Sequence, residues 1–294
     1  MPESPEVHAL ALAWQDALTG QSIVGIELEE ARVWKTRQIS PSSLLGTRIT
    51  GVTRYGKHVC LVGADIQLLV SFGRSGWARW VPASEDVGAD QGAAATGAPA
   101  TGTPTASAPI LARIGFDTGT LQLTDSGSWL SVSLTATRDA AALPSIVKLG
   151  ADPLTEQYAR ADFDRVVVGR RKQLKALLQE QESFAGIGNA YSDEILHAGR
   201  LSPRVRADAL SSDEQDRLYD TVVTVMRNAA QACMGVPIDR QKAAKGIRMR
   251  VHGRAGAPCP VCADTVLSYR SGASSAEYCP RCQTDGEPLT DATT

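Results

Sequence analysis

Four cysteines carry the clearest chemistry in this chain. "CPVC" places Cys259 and Cys262 two residues apart, and "CPRC" does the same for Cys279 and Cys282. Two such knuckles, separated by a short strand-forming segment, are what four thiolates need to surround one tetrahedral Zn2+. Four thiolates leave no open coordination position, so the zinc is structural. It would hold a β-hairpin too small to fold alone. Two disulfides or free thiols are the competing reading of these residues, and they fit poorly in a chain expected to be cytoplasmic. Cys60 and Cys233 lie in apolar contexts and read as core residues.

Carboxylates Glu3 and Glu6 flank Pro5 at the start of "MPESPEVHALALAWQDALTG". Pro5 fits the first helical turn, Val7, Leu10, Ala11, Trp14 and Leu18 repeat at helical spacing, and Gly20 is a stop. Spacing alone makes the two acids complements to the dipole of this helix. The formal net charge of -2 argues against a generally basic nucleic-acid binder. Two basic clusters break that average. One is acid-free and holds Arg240, Lys242, Lys245, Arg248, Arg250 and Arg254. The other holds Arg160, Arg165, Arg170, Arg171, Lys172 and Lys175. Both lie in the C-terminal half and suggest a polyanion footprint. "SFAGIGN" reads as a Gly-containing turn, with its glycines either serving the turn and helix cap or letting backbone approach an anion, and "AYSDEILHAG" reads as a short helix ending at Gly199.

These groups need a scaffold, and 294 residues suffice for two or three modules. "SIVGIEL", "TRITGVTRYG", "KHVCLVG", "IQLLVSF", "GWARWVP", "ILARIGF", "GTLQLTD" and "WLSVSLTA" read as strands. Residues 84–109, rich in Ala, Gly, Thr and Pro, read as a disordered insertion. "DFDRVVVGRRKQLKALLQEQE" reads as one amphipathic helical stretch. "SSDEQDRLYDTVVTVMRNAAQACMG" reads as a long helix capped by Ser211 or Ser212 and stopped at Gly235. The tail beyond Gln283 is polar and expected to fray. No apolar run is long enough to span a membrane, and a cytoplasmic protein is the default expectation.

Four separated features coincide: "PESPEV", "RYGKHVCL", "SFAGIGNAYSDEILHAG" and "VHGRAGAPCPVC…EYCPRCQ". Together they resemble the formamidopyrimidine-DNA glycosylase / endonuclease VIII family of base-excision repair enzymes. The resemblance covers nearly the whole chain apart from the low-complexity insertion. It implies a multidomain α+β fold: a catalytic N-terminal β-sandwich with an N-terminal helix over residues 1–137, a helix–two-turn–helix DNA-binding domain over 138–250, a zinc finger over 251–283 and a tail over 284–294. It also implies a bifunctional glycosylase and abasic-site lyase that excises oxidised bases from damaged double-stranded DNA. Pro2, exposed by removal of Met1, would be the amine nucleophile, followed by β- or β,δ-elimination. Glu3 matches the acid/base carboxylate, and Glu6 an acid that positions the site. Lys57 matches a hairpin lysine at a phosphate beside the lesion. Gly188 and Asn189 match the phosphate-binding turn, and Lys175 a lysine near the DNA. The resemblance further implies one structural zinc, a monomer, no membrane partner and a cytoplasmic, nucleoid-associated location.

Three departures bear on substrate and efficiency. Ser274 stands where the family's zinc finger carries a phosphate-gripping arginine, five residues before the third cysteine. "DSGSWLS" replaces an arginine- and phenylalanine-bearing loop, so Trp129 can wedge but Ser128 offers no long cation. Arg74 stands where an apolar or amide wedge is common, and an arginine can stack in a gap. The missing arginine sustains an alternative: a weak or inactive binder of damaged or abasic DNA on the same scaffold.

Overall fold

The computed structural model describes residues 2–86, 108–271 and 274–290. It divides into two compact units: Met1–Pro2, Ala11–Arg54 and His58–Ala140 form one, and Glu3–Leu10, Tyr55–Lys57 and Ala141–Thr294 the other. Among the described residues, no helix is long and apolar enough to cross a membrane.

The first unit holds most of helix α1 (Ser4–Leu18) and strands β1 (Ile23–Leu28), β2 (Ile49–Tyr55), β3 (His58–Gly63), β4 (Gln67–Ser71) and β5 (Gly76–Pro82). A one-turn helix α2 (Ala83–Asp86) follows, then β6 (Ile110–Phe116), β7 (Gly119–Asp125) and β8 (Ser133–Thr137). The strands make two four-stranded sheets, ordered β1-β6-β7-β5 and β2-β3-β4-β8. The β-branched and leucine-rich runs of β3, β4 and β7 are buried almost throughout, as strands covered on both faces require. Phe72, just after β4, ties the layers together: its ring lies 6.2 Å from Trp14 of α1 and 5.5 Å from Trp77 of β5. The expected disordered insertion begins with α2, and its span 87–107 lies outside the described residues.

One strand expectation fails for a visible reason. "WLSVSLTA" reads as a strand from Trp129, yet β8 begins only at Ser133. The preceding amides go to a buried carboxylate instead of a ladder. Asp125 accepts the N–H groups of Gly127, Ser131 and Val132 and the Ser131 hydroxyl. Burial alone would raise the Asp125 pKa, but these donors outweigh it and hold it below the usual carboxylate value. The turn so ordered carries Trp129, which is 85% exposed. It is bonded to the turn that carries the exposed Arg74, through Ser75 N–H to Ser131 Oγ (3.2 Å) and Ser126 N–H to Ser75 O (3.3 Å). Gly73 has φ +54°, and a Cβ there would meet Ser131 O at 2.2 Å.

The second unit carries helices α3 (Pro144–Val147), α4 (Arg160–Val167), α5 (Leu174–Leu178), α6 (Asn189–Ala198), α7 (Ser212–Cys233) and α8 (Gln241–Arg248). The hairpin β9 (Leu267–Ser271) and β10 (Ser274–Tyr278) and the turn helix α9 (Pro280–Gln283) complete it. Its core gathers Phe163, Phe184, Tyr191, Leu196, Leu218, Val222 and Met226. Ser211 caps α7 in a reciprocal box with Glu214, as its sequence suggests. The single helical stretch expected from Asp162 breaks in two. Gly169 takes φ +71°, and Arg170, Lys172 and Leu174 then bond to backbone at Asp208, Ala207 and Val205 instead of continuing the helix. The tail is also tied further than expected: Leu289 N–H donates to Tyr278 Oη at 2.6 Å.

Asp125→Ala leaves several amides of the 126–132 turn without an acceptor. We expect a loss of about 1–3 kcal/mol, read from the urea midpoint. Because the folded-state pKa of Asp125 is depressed, its stabilisation is present above the ordinary value of 3.8 and disappears as pH falls through the folded value. The wild-type advantage over Asp125→Ala should therefore shrink on acidification.

Candidate active site

Glu3 sits at the head of α1, and its carbonyl accepts the Val7 N–H at 3.0 Å. Its own N–H donates to Glu6 Oε2 at 2.8 Å, so Glu6 closes the first turn as the second half of a capping box. The Glu3 side chain does something that spacing along α1 does not reveal. It is 1% exposed and caps a different helix. Oε2 accepts the Gly188 N–H at 2.5 Å and the Tyr191 N–H at 3.4 Å, and Oε1 accepts the Ala190 N–H at 3.0 Å. These amides form the positive end of α6, where a carboxylate is stabilised by both hydrogen bonds and the helix dipole. The glycines of the turn permit the approach. A Cβ on Gly188 would lie 2.5 Å from Glu3 Cδ, and one on Gly186 (φ +92°) would lie 1.5 Å from Ser4 Oγ.

Three N–H groups of this turn, those of Gly188, Ala190 and Tyr191, thus serve the chain's own Glu3. Gly188 serves that carboxylate. Asn189 is half-buried, with its Oδ1 accepting from Gln179 Nε2 at 2.9 Å, so its NH2 remains the group that can donate outward. Lys175 turns toward the same helix. Its side chain is buried, ion-paired to Asp193 and donating to Asn189 O at 3.1 Å, so it faces the interior.

Lys245 completes the cluster. Its ammonium lies 3.4 Å from Glu3 Oε1 and 3.0 Å from Glu6 Oε2, and 4.4 Å from the centroid of the Tyr191 ring. Tyr191 donates its hydroxyl to Glu6 Oε1 at 2.5 Å. Burial by itself raises the Glu3 pKa. Lys245, Lys57 and the N–H groups of Ala190 and Gly188 overcome that and hold it low. Lys57, at the turn between β2 and β3, has its own pKa lowered by burial against the opposing pull of Glu3, with Lys245 lowering it further. Lys245 moves the other way: burial lowers its pKa, but Glu3 and Glu6 outweigh this and raise it. Glu3 is thus an ionised carboxylate at neutral pH, Lys245 a firm cation, and Lys57 the lysine closer to losing its proton.

The two basic clusters part company. In the first, Arg160 pairs with Asp164 and Asp216, Arg165 with Asp162, Arg170 and Lys172 with Glu180, and Arg171 approaches Asp208. These cations have acidic neighbours within the helical unit, while Arg165 and Arg171 stay largely exposed. The second keeps more of its charge outward, with Arg240, Lys242 and Arg250 exposed, while Lys245 turns in.

The four cysteine sulfurs lie within 4.8 Å of one another. Cys262–Cys279, Cys262–Cys282 and Cys259–Cys282 are 3.3, 3.5 and 3.9 Å apart. A tetrahedron with Zn–S bonds of about 2.3 Å has edges of roughly 3.8 Å, so the four fit one structural Zn2+. His197 of α6 brings Nε2 within 3.3 Å of Cys259 Sγ, and Gln283 of α9 donates to Leu201 O at 2.9 Å. Glu194 fastens the turn entering the ribbon by accepting the N–H groups of Arg250, Val251 and His252. Cys60 and Cys233 are buried, as expected of core residues. Ser274 opens β10 opposite Ser271.

Sequence reasoning missed Lys245, Tyr191, Asp193 and Glu194 as site residues. Lys245 stood in an acid-free run, which suggested an external partner. The others lay in a helix whose buried face looks merely amphipathic.

Two antiparallel sheets with an N-terminal helix, a helical unit and a four-cysteine ribbon define a DNA-glycosylase scaffold, and comparison with known proteins agrees. The family model for the formamidopyrimidine-DNA glycosylase N-terminal domain matches residues 1–126. Its H2TH domain matches 149–237, and the zinc finger found in FPG and IleRS matches 256–284. A formamidopyrimidine-DNA glycosylase from Heliobacterium modesticaldum is 30% identical, over 96% of this chain and 100% of that one. An uncharacterised formamidopyrimidine-DNA glycosylase-like protein of Mycobacterium tuberculosis is 38% identical over 51% of this chain and 94% of its own. The crystal structure of MutM (FPG) from Thermus thermophilus superposes with a TM-score of 0.77 at 26% identity, over 98% of this chain and all of that one. Lactococcus lactis Fpg in complex with DNA containing an abasic site shares the fold, with a TM-score of 0.77, 22% identity and coverage of 96% and 99%. The chain belongs to the formamidopyrimidine-DNA glycosylase family.

Gly188→Ala should displace the Glu3 carboxylate from the head of α6. We expect a folded protein with a thermal midpoint lowered by several degrees, about 1–3 kcal/mol of lost stability, and a larger loss of any Glu3-dependent activity. Cys279→Ser should lose the metal. Elemental analysis should give about one zinc per wild-type chain and far less in the variant.

Proposed function

We propose that this protein is a bifunctional DNA glycosylase and abasic-site lyase acting on oxidised bases in duplex DNA, with Pro2 as nucleophile. The observation that carries this reading is the residue beside it: Glu3, a buried carboxylate held ionised by helix α6 and Lys245. An acid/base group fixed next to a chain-terminal secondary amine is what amine-based glycosidic cleavage requires.

With Met1 removed, the Pro2 nitrogen bonds to C1′ of the damaged nucleotide. The glycosidic C1′–N bond breaks, and the base leaves with the electron pair and takes a proton from water. The proton on the new ammonium passes to Glu3, which is ionised and ready to accept it. Glu3 returns that proton to O4′ as the C1′–O4′ bond breaks, leaving an iminium between Pro2 and C1′. The iminium acidifies C2′–H; loss of that proton expels the 3′-phosphate, and a second elimination removes the 5′-phosphate. Glu6 positions Glu3 through its backbone N–H. Lys57, half-buried near Glu3, is the cation for a phosphate beside the lesion, and the free NH2 of Asn189 serves the backbone around it. Arg74 and Trp129, carried on two bonded turns, are the side chains that fill the gap left by an extruded nucleotide. The zinc ribbon contributes to DNA binding, and the protein acts as a monomer on nucleoid DNA. The exposed Arg240, Lys242 and Arg250 supply phosphate attraction.

Borohydride should trap wild-type protein on duplex DNA with one abasic site, because it reduces the iminium to a stable amine. Pro2→Gly should trap at least about tenfold less. Mass spectrometry of the active protein should find Met1 absent, and an N-terminal tag should abolish trapping with DNA affinity largely kept. Undiminished trapping with a blocked N-terminus would rule out Pro2 and turn attention to Lys57. Failure of mature wild type to trap or cleave any damaged duplex would favour the inactive-binder alternative.

A further inference from the structure

We infer that Lys245 is a positioning residue for the active site: delivered by α8, its ammonium bridges the Glu3 and Glu6 carboxylates and fixes Glu3 as a proton acceptor. The inference rests on the acid/base role proposed for Glu3 above.

The geometry is specific. Glu3 and Glu6 are 1% and 2% exposed, and two buried carboxylates this close repel unless a cation lies between them. Lys245 supplies that cation with a side chain 11% exposed, touching one oxygen of each acid. Each acid keeps its other contacts: Glu3 the amides of α6, and Glu6 the Tyr191 hydroxyl and the Glu3 N–H. The Tyr191 ring lies against the ammonium and disfavours its withdrawal to solvent.

The helix that carries Lys245 is built for delivery more than for packing. Gln241 is the buried residue of α8, and its Nε2 pins the helix start to Cys233 O and Val236 O at 2.8 and 3.0 Å. The buried Met249 anchors the other end. Between these anchors Ile247 is 82% exposed, whereas Lys245 turns inward. The groups facing the cluster are Glu3 and Glu6 at the head of α1, Lys57 from the β2–β3 turn, Lys175 from α5, Tyr191 from α6, Cys233 from α7 and, beyond Cys233, Arg248 from α8. Lys175 is paired with Asp193, which leaves Lys57 and Lys245 to balance the two carboxylates. Lys57 is the weaker holder of a proton, and Lys245 the stronger. Lys245 is accordingly a poor amine nucleophile, and Lys57 without it would be left to balance both acids.

The test compares wild type, Lys245→Met and Lys245→Arg, with Lys245→Gln replacing the Met variant should that fail to fold. Carboxyl 13C titration of glutamate-labelled protein reads the Glu3 midpoint without any need for activity. It should rise by about one pH unit or more in Lys245→Met and return toward wild type in Lys245→Arg. Single-turnover excision from a formamidopyrimidine-containing duplex should fall about tenfold or more in Lys245→Met, while the duplex Kd changes less than about threefold. Lys245→Arg should recover most of the rate. An unchanged Glu3 midpoint, or a shifted midpoint that Lys245→Arg does not restore, overturns the inference. So does loss of borohydride trapping in Lys245→Met that Pro2→Gly does not share, since Lys245 would then be the amine itself. If wild type neither traps nor excises, the glycosylase reading fails, and the Glu3 midpoint still decides whether Lys245 governs the carboxylate pair.

Discussion

A single carboxylate organises the second unit of this protein. Glu3 stands at the head of α1 and bonds to the first amides of α6, far along the chain. A buried carboxylate is costly unless every lone pair finds a donor. Here the donors are three backbone amides and one ammonium, and each constrains its neighbours. The amides require α6 to begin at Asn189 after a turn with no side chain at Gly188. The ammonium requires α8 to lie within reach of Glu3 and Glu6.

Helix α6 then relays that order toward the cysteine ribbon. Asp193 receives Lys175 on one oxygen and His252 on the other, at 2.8 Å. Glu194 gathers the amides of residues 250–252, and His197 meets Cys259. One ten-residue helix thus presents its start to the candidate catalytic carboxylate and its end to a zinc ligand. The buried Tyr191, Asp193 and Glu194 side chains along it are satisfied by partners from distant segments, a pattern that fixes one arrangement rather than several.

Charge is distributed by the same logic. The chain is almost neutral, yet it holds two arginine- and lysine-rich runs. One run has acidic neighbours within its own unit, although exposed pairs of this kind add little stability individually. The other run divides its work: Lys245 serves the buried carboxylates, and exposed neighbours such as Lys242 and Arg250 remain available to a polyanion.

Much of this was legible in the sequence. The C-x2-C spacing of Cys259, Cys262, Cys279 and Cys282 depends on local chain geometry, so it announced the zinc centre unaided. Helix α1, the capped start of α7 and most strands followed from periodicity and turn residues, which are also local. Local signals fail where a distant group competes for the backbone. Asp125 drew the 126–132 amides away from a strand, and pairing of 170–174 with 205–208 split an amphipathic run into α4 and α5. The partners of Glu3, Lys175 and Lys245 were invisible for the same reason. Glu3 and Lys245 stand 242 residues apart, and whether a charge faces solvent or another charge is decided only when folding brings the two together.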